Sequence, residues 1–165
     1  MSHLTHIDED SNQPSMVDVS AKTESQRSAK ARGFVYLPES IFSRLENGDI
    51  ATKKGPVFQT AIIAGTQAAK RTSDWIPFCH PLILESIKIS ITPEPEHSRI
   101  KIESLVKLTG KTGVEMEALT AVSAAALTLY DMCKALSHDM RIGEIELTEK
   151  TGGKSDINRN RSLFP

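Results

Sequence analysis

The residues best suited to moving protons lie in two short stretches, "GVEMEAL" with Glu115 and Glu117, and "YDMCKAL" with Asp131 and Lys134. Paired carboxylates serve as general acids and bases when their surroundings push their pKa values apart. A lysine three residues after an aspartate holds a positive charge beside it, although such a pair is also a surface commonplace. A third stretch, "KRTSDWIPFCHPL" (70–82), collects Trp75, Cys79 and His80 between Pro77 and Pro81. Prolines at that spacing exclude a helix interior or a central strand, so the segment is an irregular connection. Paired lysines, Lys53 and Lys54, occupy the loop "DIATKKGP".

Two glycine-lysine stretches, "TGKTG" (109–113) and "TGGKS" (151–155), lack the first glycine of a phosphate-binding P-loop. Leu105 and Thr148 stand at those positions. Neither is a Walker motif, but turns beside Lys111 and Lys154 could bind an anion through backbone amides. Adjacent Cys79 and His80 do not have zinc-ligand spacing, and no Cys-x-x-Cys or His-Glu-x-x-His pattern occurs. No metal site is expected, and Cys79 and Cys133 read as small apolar groups.

The elements that must position these residues follow from periodicity. "MVDVSAK" (16–22) alternates apolar and polar residues, the period of a half-buried strand. "ARGFVYL" (31–37) is a second strand, and "PESIFSRLENG" carries the start and stop signals of a helix. Residues 57–72 read as a helix. "LILESIKISITPEPEHSRIKIESLVKL" reads as two alternating strands about the turn "PEPEHS", which predicts a hairpin. Residues 113–138 form the longest predicted helix and 140–150 a last strand. The hairpin requires antiparallel pairing, so the expected fold class is α+β, an antiparallel sheet packed with helices. Residues 16–155 read as one catalytic domain between flexible tails, 1–15 and 156–165.

On the longest helix, Glu117 and Asp131 share a face but stand about 21 Å apart along the axis. One copy cannot bring both to one small substrate. Two copies packed antiparallel about a two-fold axis would, and Ala121, Ser123, Ala124, Ala125 and Ala126 would allow a close approach. The competing reading is that this face packs on the sheet and the charges merely complement the helix dipole.

Composition bounds the class. The chain has 165 residues, 39% hydrophobic and 25% charged, with a formal net charge of −1. That balance gives no global attraction for nucleic acid or acidic membrane. Two cysteines are no disulfide framework, the longest apolar run is too short for a membrane span, and the polar start has no signal-peptide pattern. The expected location is the cytoplasm.

"KRTSDWIPFCHPL" and "LTGKTGVEMEALTAVSAAALTLYDMCKAL" together closely resemble the cyclic pyranopterin monophosphate synthases, the protein C (MoaC) family of molybdenum cofactor biosynthesis. "MVDVSAK" and "GGKS" fit as well. The resemblance implies a ferredoxin-like fold, assembled as a homohexamer (a trimer of dimers) with sites between subunits. It implies a lyase that takes a cyclised dihydro-GTP and releases cyclic pyranopterin monophosphate and pyrophosphate. Its catalytic residues fall on Asp131, Lys134 and the loop lysine Lys54, although the adjacent Lys53 leaves that last assignment open. Its substrate contacts fall on Phe78, Cys79, His80, Glu115, Met116 and Glu117, and Lys22 or Arg27 would add charge for the triphosphate. No cofactor is called for, and whether magnesium accompanies the triphosphate stays open. Ser73 and Phe78 depart from the family's usual residues. A rival of another class is a nucleotide- or pterin-binding module without catalysis, which would be expected to have lost Asp131 or Lys134. Trp75 is expected to anchor its loop to the core.

Overall fold

Alternation on the strands and a 3.6-residue period on two helices bring the apolar side chains to a common layer. A computed structural model describes residues 7–8 and 11–159. β1 (Ser25–Tyr36), β5 (Ser86–Glu94), β6 (Arg99–Gly110) and β7 (Arg141–Thr151) form an antiparallel sheet, with the two-residue strand β8 (Ile157–Asn158) at its edge. The order is β5-β6-β1-β7-β8. α2 (Val57–Ala69) precedes the β5-β6 hairpin and α4 (Glu115–Cys133) follows it. The four long strands and two helices therefore make the β-α-β-β-α-β arrangement of a ferredoxin-like α+β fold.

Both helices cover one face of the sheet. Ala29, Ala31 and Val35 of β1 and Ile100, Ile102 and Val106 of β6 point to that face and are buried. They meet Ala118, Val122, Ala125 and Leu129 of α4. Contact is closest where side chains are smallest. A β-carbon at Gly33 would stand 2.8 Å from Val122, and one at Gly65 of α2 would stand 2.7 Å from the Ala121 carbonyl of α4. The buried Ser104 hydroxyl donates to the Ala118 carbonyl at 2.8 Å, tying β6 to α4 across the layer.

The predicted hairpin, the helix over 57–72, the long helix and the last strand are all present. The helix over 57–72 ends at Ala69, and a short helix α3 (Thr72–Trp75) follows. Three readings differ. Residues 16–22 form no strand: Val17 and Val19 are half-buried and their neighbours exposed, but the segment has no ladder partner and ends in a turn, where the Lys22 amide donates to the Val19 carbonyl at 3.1 Å. The signals in "PESIFSRLENG" give only one turn, α1 (Glu39–Phe42). β2 (Leu45–Glu46) and β3 (Asp49–Thr52) then pair around Asn47 and Gly48, whose φ values are +51° and +80°. Asn-Gly is a hairpin turn signal as well as a helix stop, and here it turns a hairpin. Trp75 is 55% exposed rather than packed in the core.

β3 also pairs with β4 (Gly55–Pro56), giving a small second sheet. Residues 156–159 lie within the predicted tail, but Ile157 and Asn158 pair with Lys150 and Glu149. Residues 1–6, 9–10 and 160–165 of the predicted tails lie outside the described residues.

Gly65→Ala tests the helix contact. The substitution gains up to about 1 kcal/mol of helix propensity, but overpacking against an immovable backbone carbonyl costs roughly 1–3 kcal/mol. A net loss of stability is expected in urea denaturation, and a variant as stable as the wild type would contradict this packing.

Candidate active site

The cleft at the α4 N-terminus is built from four segments, each with its own local reason to be there. The Pro-flanked loop after α3 supplies Phe78, Cys79 and His80. The first turn of α4 supplies Glu115, Met116 and Glu117, and the irregular segment carrying Val17, Val19 and Lys22 lies along one side. The fourth wall is the end of β7 with the "TGGKS" turn. There Gly152 has φ +82°, and a β-carbon would lie 1.9 Å from the Gln26 carbonyl, so only glycine fits. The cavity measures about 830 Å³.

Its charge is unlike that of the whole chain. Lys22, Arg27, Lys111, Lys150 and Lys154 face two carboxylates, Glu115 and Glu117. Both glycine-lysine turns that are not P-loops thus meet at one cationic site. Lys150 Nζ stands 3.0 Å from Glu115 Oε1. Arg27 donates to the Gly110 and Lys111 carbonyls at 2.9 and 3.2 Å, which holds the "TGKTG" turn in place. The side segment is held by the cleft's own residues: Lys111 Nζ donates to the Ser20 carbonyl at 2.9 Å. His80 Nε2 lies 2.9 Å from the Val17 carbonyl. A carbonyl only accepts, so Nε2 carries the proton, and in the neutral ring Nδ1 is left as the acceptor.

Glu117 is the unusual acid. It is 4% exposed, and burial pushes its carboxyl up to about 7, opposed by its own backbone amide and assisted by nearby Glu115. It can therefore hold or release a proton near neutrality. Burial, with the Glu117 charge, also raises the Cys79 thiol above its ordinary value. That disfavours the thiolate. Cys133 is buried and pushed up to about 11.

The other three residues lie at the opposite end of α4. Asp131 takes Lys134 Nζ at 2.7 Å on Oδ1 and Lys54 Nζ at 2.9 Å on Oδ2. Hydrogen bonds from the Lys134 and Lys54 ammonium groups hold the Asp131 carboxyl down to about 2. The same contact raises Lys134. Lys54 is the member of the lysine pair that reaches Asp131, and it also donates to the Asp131 carbonyl at 3.0 Å. The three side chains are about half exposed. Within one chain, then, the sequence-derived residues fall into two groups, Phe78 to His80 with Glu115 to Glu117, and Lys54 with Asp131 and Lys134. Sequence reasoning missed Lys150, which precedes "TGGKS" but belongs to no pattern that would single it out.

The class is thus a ferredoxin-like α+β domain with a cationic cleft at the N-terminus of its longest helix. The chain belongs to the MoaC family, whose family model matches residues 16–153, a span that includes the cleft and the Lys54–Asp131–Lys134 group. That membership assigns it to molybdenum cofactor biosynthesis. Among the described residues no helix is long and apolar enough to cross a membrane.

Protonation of Glu117 has a measurable consequence for stability. The folded chain keeps a proton that the unfolded chain releases near the ordinary value of 4.5. This group thus costs nothing below about pH 4.5, and stability falls as pH rises from there to about 7, by about 3 kcal/mol. Glu117→Gln removes that dependence. Its melting temperature should exceed the wild type's by roughly 10 °C at pH 8 and by much less at pH 5. Equal differences at both pH values would mean that the carboxyl titrates normally.

Proposed function

We propose that the chain is a cyclic pyranopterin monophosphate synthase. It is a lyase that converts (8S)-3',8-cyclo-7,8-dihydroguanosine 5'-triphosphate to cyclic pyranopterin monophosphate and pyrophosphate in the cytoplasm. The observation that carries this reading is the pairing of a cationic cleft holding a near-neutral buried acid with a separate Lys–Asp–Lys group, both within the matched family span.

The roles follow from the chemistry. The cleft cations Lys22, Arg27 and Lys111 would accept the triphosphate and favour departure of pyrophosphate. A substrate hydroxyl attacks the α-phosphorus, the bond to the bridging oxygen breaks, and pyrophosphate leaves as the cyclic phosphate closes. Rebuilding the guanine-derived ring needs several proton transfers. Glu117 serves in either direction near neutral pH, His80 offers Nδ1 as an acceptor, and Lys134, kept charged by Asp131, serves as a donor. Phe78, Cys79 and Met116 form the wall against which the ring lies.

Glu117 and Asp131 are separated by about 21 Å of helix, so a complete site needs two chains. An outward stripe of α4 runs from one group to the other through Met116, Ser123, Ala124, Leu127 and Thr128. Leu127 is 62% exposed and Met116 38%. Two copies packed antiparallel along that stripe would set the cleft of one against the Lys54–Asp131–Lys134 group of the other, within a hexamer built as a trimer of dimers.

The test is turnover of the cyclised dihydro-GTP by the purified protein, following pyrophosphate and, after oxidation, pterin fluorescence. Both products in equal amounts are expected; tight binding without either would turn the reading into a non-catalytic binding module. Lys134→Ala should lose about 10²–10⁴ in rate with its oligomer intact. Mixed with Asp131→Ala, inactive Glu117→Ala chains should regain up to roughly a quarter of wild-type activity, since half of randomly formed dimers carry one intact site. No recovery in verified hybrids would argue for a site within one chain.

A further inference from the structure

We infer that Asp49, which touches neither the cleft nor the Lys54–Asp131–Lys134 group, is a positioning residue for Lys54. α2 begins immediately after Pro56, which has no side-chain acceptor for the first amides of the helix. Asp49, the first residue of β3, supplies it from a distance. Its Oδ1 accepts from the Phe58 amide at 2.7 Å and from the Ile50 amide at 2.6 Å, and its Oδ2 accepts from the Gln59 amide at 3.3 Å. One half-buried carboxylate thus joins the start of β3 to the first turn of α2. Between those two anchor points the chain runs through β3, the lysine turn and β4.

The turn itself is stiff. Lys54 N donates to the Thr52 hydroxyl at 3.2 Å, the same hydroxyl donates to the Gly55 carbonyl at 3.1 Å, and Gly55 has φ +108°. A stiff turn transmits the position of its base to its tip. With the base clamped by Asp49, the tip brings Lys54 Nζ to Asp131, at the last turn of α4. Asp49 therefore fixes the small sheet relative to the first turn of α2, and the lysine turn spans from there to α4. The role rests on the proposed reaction only in so far as Lys54 has catalytic work to do; the placement itself does not depend on that reaction.

Two readouts on the full-length protein separate positioning from simple helix capping. In the first, lysines are acylated with limiting acetic anhydride and quantified by mass spectrometry, with exposed Lys88 of β5 as the internal standard. Asp49→Ala should raise Lys54 acylation roughly threefold over the wild type, the change that loss of one exposed ion pair allows. Asp49→Asn keeps an amide oxygen for Phe58 and Ile50 and should fall between the two. In the second, Asp49→Ala should lower kcat roughly tenfold while KM stays within about twofold, because the cleft is built from other segments. Unchanged Lys54 labelling in variant protein with wild-type circular dichroism would overturn the inference. Should Asp49→Ala not fold, Asp49→Asn carries the same labelling comparison: a rise supports the inference and no rise overturns it. A wild-type protein without turnover would overturn the synthase reading, while labelling would still decide the placement of Lys54.

Discussion

α4 is pinned along its whole length, and the distance between its ends cannot be adjusted. Gly33 lets Val122 approach β1, Gly65 lets α2 meet the Ala121 carbonyl, and Ser104 bonds the Ala118 carbonyl. The three contacts fall between Ala118 and Val122 and hold that stretch against three different elements, β1, α2 and β6, while burial continues on to Cys133. A rod held at that many points presents the chemistry at its two ends with a separation of about 21 Å between Glu117 and Asp131. Everything else about the candidate site answers to that separation: why the cleft gathers at one end, why the lysine loop reaches the other, and why the intervening outward stripe stays small or apolar.

The two ends put carboxyl groups in opposite electrostatic surroundings. Glu117 is enclosed, and loss of water outweighs the help its own amide gives to the charged form, so its carboxyl rises to about 7. Asp131 stands in solvent with an ammonium on each oxygen, and its carboxyl falls to about 2. The lysines and the arginine around the cleft do not reverse the Glu117 shift. Lys150, the cation tied to the acid pair, is committed to Glu115. The cleft thus keeps a proton where the rest of its lining attracts anions.

Much of this was legible in the sequence, and the gaps have physical causes. The hairpin and both long helices announce themselves because each buries one face on a sheet or a neighbouring helix, and burial is what writes period into sequence. Alternation in "MVDVSAK" is equally real, but it records a non-ladder segment lying with Val17 and Val19 toward a cleft. Its backbone is satisfied by His80 and Lys111 rather than by a ladder, and side-chain partners leave no periodic trace. Asn47-Gly48 carries two meanings, and only the pairing of Leu45 with Ile50 selects the turn. The division of the site residues into two groups was foreshadowed by helix geometry alone. Lys150 was not visible, because a lysine on an alternating strand looks like solvated surface until the chain on either side is folded over it.

The Lys54–Asp131–Lys134 group is geometrically well formed and energetically weak in a single chain. Its members are about half exposed, so water screens their attraction and competes for every hydrogen bond. The same three contacts strengthen when water is removed from around them, because the effective dielectric falls. Within one chain the described residues provide no such cover; the cleft of a second chain, brought up along the α4 stripe, would. It would also present Glu117, whose own shift already reflects a dehydrated environment. On that arrangement assembly does more than add residues to the site. It would convert a screened surface ion pair into a preorganised proton donor, and the lysine loop held at Asp49 would decide whether Lys54 is in place when the water leaves.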